Sequence, residues 1–242
     1  MTDPETTQPI AQKHAGHSKP KLTVLEKKHP LAIRWFHWIN FPVLFIMMWS
    51  GILIYWANDV YSLKFIGINF HFFPAEWYTK FSWDSRLAEG MAWHFTFMYF
   101  FAINGLLYVL YLIFSKEWKQ IVPDRKSTKQ AIHVILHDLY IIKKPLPRQK
   151  FNGAQKFAYT SIILMGFGAL VTGLAIFRPL QLPWLTALLG GYEFARILHF
   201  AIMIGFCLFF LVHVAQVIKA GWNNFRAMVT GYEMAPAEEV EA

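Results

Sequence analysis

Long apolar stretches alternate along the chain with shorter polar ones. Four of them, 35–57, 91–114, 157–177 and 195–218, reach the roughly 20 residues that a helix needs to cross a bilayer. Apart from Arg196 at the entrance of the fourth, none holds an Asp, Glu, Lys or Arg. The pattern predicts an all-α protein: an integral membrane four-helix bundle over residues 26–232. A polar, disordered tail (1–25) precedes it and an acidic tail (233–242) follows. The first stretch starts too late and runs too long for a cleaved signal peptide. The spans share no repeat beyond their histidines. Residues 130–142 predict a short surface helix whose apolar positions are Ile132, Ile135, Leu136 and Leu139. Its His133 and His137 stand four apart, but two ligands do not make a metal site. His14 and His17, in the polar tail, form a chance pair. Residues 58–90 carry Phe65, Phe70, Phe72, Phe73, Trp77, Tyr78, Phe81 and Trp83. Such a segment suits the membrane interface and also offers a partner a surface.

Composition sharpens this picture. Charged residues make up 16% of the 242, hydrophobic ones 55%, whereas globular domains carry about 25% charged residues. The chain lacks the surface charge of a water-soluble protein, so lipid is its first partner. Its one cysteine, Cys207, excludes an iron–sulfur cluster, an intrachain disulfide and covalent haem attachment through a CxxCH motif. It reads as a packing residue. The net charge of +8 is unevenly spread. The termini and residues 115–156 collect eighteen Lys and Arg; residues 58–90 and 178–196 hold five. By the positive-inside rule both termini and the 115–156 loop are cytoplasmic, and the other two loops face outward. The basic balance is thereby explained without nucleic acid.

Histidine is costly at membrane depth, yet the spans hold four. With this topology His37 and His213 lie near the inner surface, and His94 and His199 near the outer. His199 and His213 are 14 residues apart, which is about 40° short of four full turns and about 21 Å of rise. Both rings leave one face of the fourth span, the arrangement required to hold two haems stacked across one bilayer. Each haem takes its second ligand from a facing span: His37 for the inner, His94 for the outer. Gly51, also 14 residues from His37, lies on the ligand face at the depth of the outer haem. Gly105, 11 residues from His94, lies on its ligand face toward the inner one. A porphyrin pressed against a helix needs a position without a side chain; close helix packing uses glycine in the same way. Arg34 and Arg196 lie beside the inner and outer ligands, placed to pair with propionates or to snorkel. Interhelical hydrogen bonds or a proton path would also use histidines, but a proton relay usually recruits Asp or Glu within the spans.

The segment His29-Pro-Leu-Ala-Ile-Arg34-Trp-Phe-His37-Trp38 resembles the RxxHW entry of the first helix in bacterial di-haem b-type cytochromes. The His-x13-His of the last span belongs to the same pattern. Phe151-Asn152-Gly153-Ala154-Gln155-Lys156 resembles the YNxxQK segment of formate dehydrogenase cytochrome subunits. The resemblance covers about residues 25–232. It extends to bacterial cytochrome b561 and to the membrane subunits of nickel–iron hydrogenases, formate dehydrogenases and thiosulfate reductases. It implies two haems b, a quinone site beside the inner haem, and a peripheral redox subunit on the outer side, in the bacterial cytoplasmic membrane. That subunit would be of the molybdenum oxidoreductase, hydrogenase or formate dehydrogenase type. Asn152 is the carried-over quinone residue, and Gln155 brings a second neutral hydrogen-bonding group. Lys156, Lys150 and Arg148 add positive charge there. The chain then moves electrons between the quinone pool and the outward partner. A stand-alone quinol oxidase or reductase of the cytochrome b561 type is the rival within electron transfer. A small transporter or channel subunit is the rival from another class, and spans without charges or Gly/Pro-broken half-helices speak against it.

Overall fold

The computed structural model describes residues 23–56, 63–65, 68–70, 73–138, 140–142 and 151–236. His14, His17, Leu139, Arg148, Lys150 and the last six residues lie outside them. Four helices are long and apolar enough to cross a membrane: α1 (Leu31–Tyr55), α3 (Leu87–Ser115), α6 (Gly153–Phe177) and α8 (Tyr192–Thr230). Between them run a β2–β3 hairpin (Leu63–Phe65, Ile68–Phe70) and the short α2 (Ala75–Lys80), α4 (Trp118–Ile121), α5 (Arg125–Asp138) and α7 (Pro183–Leu188).

Each long helix turns its large apolar side chains outward. On α3, Phe100, Ile103, Leu107, Leu110 and Phe114 are exposed, while Gly90, Phe101, Asn104 and Leu112 are buried. The inside of the bundle thus mixes small residues and the hydroxyls of Ser50 and Thr172 with a few large apolar ones such as Leu53, Leu112 and Phe206, because lipid solvates Leu and Phe as well as protein does. The closest approaches are pairwise. A Cβ on Gly90 of α3 would lie 2.7 Å from Leu53 Cβ of α1. A Cβ on Gly205 of α8 would lie 2.9 Å from Met165 Sδ of α6. Two helix pairs result, α1 with α3 and α6 with α8. Val43, Phe101 and Phe206 form the apolar core where the pairs meet.

The fourth span continues beyond its apolar run. At Gly221 the backbone takes φ 79° and ψ 179°, a conformation open to glycine and strained for other residues. The last stretch of α8 turns there and returns across the start of α1. Trp38 Nε1 donates to the Met228 carbonyl at 3.0 Å, and Arg34 Nη1 donates to the Thr230 carbonyl. Gly231 (φ 93°) ends the helix, and its carbonyl accepts from the Lys28 and His29 amides.

The hydrophobic pattern does not announce the next element. Thr23–Lys27 (β1) pairs antiparallel with Tyr232–Pro236 (β4), Thr23 opposite Pro236 and Lys27 opposite Tyr232. The tail boundaries at 25 and 233 therefore move: residues 23–25 and 233–236 belong to a terminal ribbon. Lys28 Nζ ties it down, 2.5 Å from Glu233 Oε2 and 3.3 Å from Asn224 Oδ1.

The surface helix also differs from its sequence reading. It runs from Arg125 to Asp138, and its buried residues are Ser127, Ala131 and Val134. Ile132 and Ile135 are more than half exposed. Small side chains let α5 approach the start of α6 until Gly153 touches it: any Cβ there would meet the Ser127 carbonyl and the Ala131 amide. Asp138 clamps the other end, accepting at 2.8 Å from both Lys219 and Gln216 of α8. Burial would push its carboxyl up, but the hydrogen bonds from Lys219 and Gln216 and the Lys219 charge outweigh it and hold the group below the usual carboxylate range.

Candidate functional site

The four span histidines come together as two pairs. His37 of α1 faces His213 of α8 with ring centres 6.1 Å apart and planes at 54°. His94 of α3 faces His199 of α8 at 6.2 Å and 73°. These are the pairs that depth alone selects, and α8 contributes to both. An imidazole nitrogen binds a first-row metal ion at about 2.0 Å. With the ring centre about 1.1 Å further back, two imidazoles on opposite sides of one iron stand about 6.3 Å apart. Both pairs have that spacing. Among the described residues no group of three or more His, Cys, Asp or Glu is placed to hold a bare metal ion. Two nitrogen donors on opposite sides suit an ion whose other ligands come from a macrocycle.

The surroundings fit such a group. Met47, Met48, Ile202, Met203 and Phe206 line a cavity at the His94–His199 pair, an apolar wall. His213 stacks on Phe209 at 5.9 Å with planes 6° apart, and His37 lies edge-on to Trp38 at 5.0 Å. At the same end the Nε atoms of Arg34 and Arg226 are buried without a hydrogen-bond partner. Arg226 also donates through Nη2 to Asn223 Oδ1; the unpartnered Nε donors are of the kind a carboxylate-bearing cofactor would satisfy. Arg226 carries no sequence signal that separates it from the chain's other basic residues. Arg34 already donates through Nη1 to the end of α8, so it fastens two helices whatever else it binds. Arg196, mostly buried, lies 3.6 Å from Glu193 and 5.7 Å over the Tyr192 ring.

The glycines fall differently. A Cβ on Gly51 would lie 3.6 Å from His94 Cε1, an ordinary contact, so Gly51 lies against the imidazole itself. Around Gly105 nothing lies within 4 Å of that point, leaving open space beside α3. Sequence reasoning missed Gly173, whose Cβ would stand 3.2 Å from His199 Cε1. It also missed two hydroxyls. Ser50 Oγ lies 2.9 Å from His94 Nδ1, and Thr172 Oγ1 lies 2.9 Å from His199 Nδ1. Ser50-Gly51 on α1 and Thr172-Gly173 on α6 thus form the same seat twice, a pattern the comparison of whole spans does not reveal.

Asn152 and Gln155 come together at the entrance of α6 as a capping box. Asn152 Oδ1 accepts from the Gln155 amide and Gln155 Oε1 from the Asn152 amide, both at 2.9 Å. Their side-chain NH₂ groups take no part in the box. Cys207 packs among thioethers, 3.5 Å from Met48 Sδ and 3.7 Å from Met203 Sδ. At the far end of the bundle, Tyr55 gathers Phe73 and Phe200 at 5.3 and 4.7 Å, and Phe73 meets Trp83 at 5.9 Å. Phe73 and Trp83 therefore pack over the end that holds His94 and His199, while Trp77 and Phe81 stay exposed.

Four membrane-length helices, two opposed imidazole pairs and an apolar interior define a membrane-embedded cytochrome with non-covalent haem. The chain belongs to the prokaryotic cytochrome b561 family, whose model matches residues 28–231. It is an integral membrane protein of the b-type cytochromes, and b-type haem is its cofactor. A relative from Azospira oryzae, named as a putative protein-methionine-sulfoxide reductase subunit YedZ1, is 32% identical over 205 residues. The match covers 84% of this chain and 96% of that protein.

Proposed function

We propose that the chain carries two haems b, one between His37 and His213 and one between His94 and His199, and links the quinone pool to an outward-facing redox partner. The observation that carries this reading is the pair of imidazole couples, each spaced for a single iron. Haem bound there would take up and release one electron at a time, with both axial positions filled and none left for oxygen. The protein's part is to hold the four rings, exclude water from them and offer buried cations to the propionates.

The placement of the loops supports the rest. With both termini in the cytoplasm of a bacterial inner membrane, the basic α4–α5 region faces inward. The aromatic cap on Tyr55 and the α7 loop face outward. The NH₂ groups of Asn152 and Gln155, left over by the capping box, are donors for a quinone carbonyl at the inner side. The name of the Azospira relative, a reductase subunit, favours a redox enzyme as partner over a stand-alone quinol oxidase or reductase.

Cross-linking in intact membranes tests the partner. We expect cross-links from residues 73–86 and 178–192 to a single outward redox protein. Links confined to the α4–α5 region would contradict the assignment.

A further inference from the structure

Ser50 and Thr172 occupy equivalent places on α1 and α6, and each has a carbonyl of its own helix within reach of its proton. Ser50 Oγ donates to the Met47 carbonyl at 3.2 Å, and Thr172 Oγ1 donates to the Gly168 carbonyl at 2.7 Å. A hydroxyl that has given its proton to the helix backbone faces the imidazole as an acceptor. A histidine that gives Nε2 to iron carries its proton on Nδ1, so across the two 2.9 Å contacts it would be the donor and the hydroxyl the acceptor. That is the tautomer in which Nε2 offers its lone pair. Both hydroxyls are buried, so water does not compete for the contact. The adjoining Gly173 lets the His199 ring approach, and Gly51 lies against the His94 ring. The other pair lacks this arrangement: His37 Nδ1 is buried and has no hydrogen-bond partner.

We propose that Ser50 and Thr172 are positioning residues that hold His94 and His199 as Nδ1–H donors and thereby lower the reduction potential of the haem between them. The inference rests on the two-haem reading above. A ligand histidine that donates its second N–H becomes a more basic donor to the metal. Greater electron donation favours the ferric over the ferrous state. His37 receives no such push, so the two haems are unequal by construction and an added electron settles on the His37–His213 side.

A redox titration of the purified, haem-loaded protein, followed by visible absorption, tests this. The variants are Ser50→Ala with Thr172→Val, which remove both hydroxyls, and Ser50→Thr with Thr172→Ser, which exchange them. The first pair should shift one of the two transitions to higher potential and leave the other in place. The exchange variant should restore both transitions to their wild-type positions. Two haems present with neither transition moved, or both moved equally, would overturn the proposal. If the first variant loses a haem, retention in the exchange variant supports the hydroxyls as the holding groups, and loss in both overturns it. A wild-type protein with fewer than two haems would instead sink the underlying reading, and this inference with it.

Discussion

At the scale of single residues, the site is governed by what is small or has a spare lone pair. Two glycines sit against ligand rings at different distances. A Cβ on Gly51 would make ordinary contact with His94, at 3.6 Å, whereas one on Gly173 would press His199 at 3.2 Å. His199 is also held by Thr172 and by its opposite partner, so the ring has little freedom to yield. Gly173→Ala should therefore weaken haem binding at the His94–His199 pair by about 1–3 kcal/mol, the usual penalty of overpacking. Gly51→Ala should change it little. Haem retention during dilution into apomyoglobin, a haem acceptor, reads the difference. Equal haem loss from both variants would show that the ring clearance at Gly173 is not limiting.

At the scale of elements, the entrance of α6 carries two duties. Its capping box satisfies helix-end amides, and the NH₂ groups left over are the proposed donors to the quinone. Serine caps a helix about as well as asparagine but lacks the NH₂ group. Asn152→Ser should leave thermal stability and haem content unchanged while slowing haem reduction by quinol about tenfold, the worth of one hydrogen bond of roughly 1.4 kcal/mol. Stopped-flow reduction of the oxidised protein by a soluble quinol measures it. Unchanged kinetics with both haems in place would remove Asn152 from the quinone site and leave it a cap alone. The sequence made the spans legible because lipid imposes a length and forbids charge, and it made the ring pairing legible because depth and helical angle follow from residue number. The buried face of α5 was not legible in the same way. Choosing the most apolar face selects Ile132 and Ile135, but beside a membrane the greasy face turns outward and Ser127, Ala131 and Val134 pack inward. The β1–β4 ribbon joins segments from opposite ends of the sequence, Lys27 opposite Tyr232 and Thr23 opposite Pro236, and no local pattern encodes such pairing. Ser50-Gly51 and Thr172-Gly173 are dipeptides too short to stand out until the facing helix is known.

At the scale of the whole molecule, the bundle is two helix pairs that meet at an apolar core and at the two histidine pairs. Within each pair, glycines bring backbones together; between pairs, α8 offers His199 and His213 to α3 and α1. Each haem would then bridge the two halves, so cofactor binding and assembly are coupled. The terminal ribbon and the return of α8 over α1 close the His37–His213 end, and the aromatic cluster on Tyr55 closes the other. Two cofactors on one shared helix is the central claim. It is tested most directly by the haem-to-protein ratio of the purified chain, from pyridine haemochrome absorbance and quantitative amino-acid analysis, beside that of His199→Ala. The account predicts two haems b per chain in the wild type and one in the variant, with the His37–His213 haem retaining its low-spin spectrum. One haem in the wild type, or an unchanged count of two in His199→Ala, would contradict it.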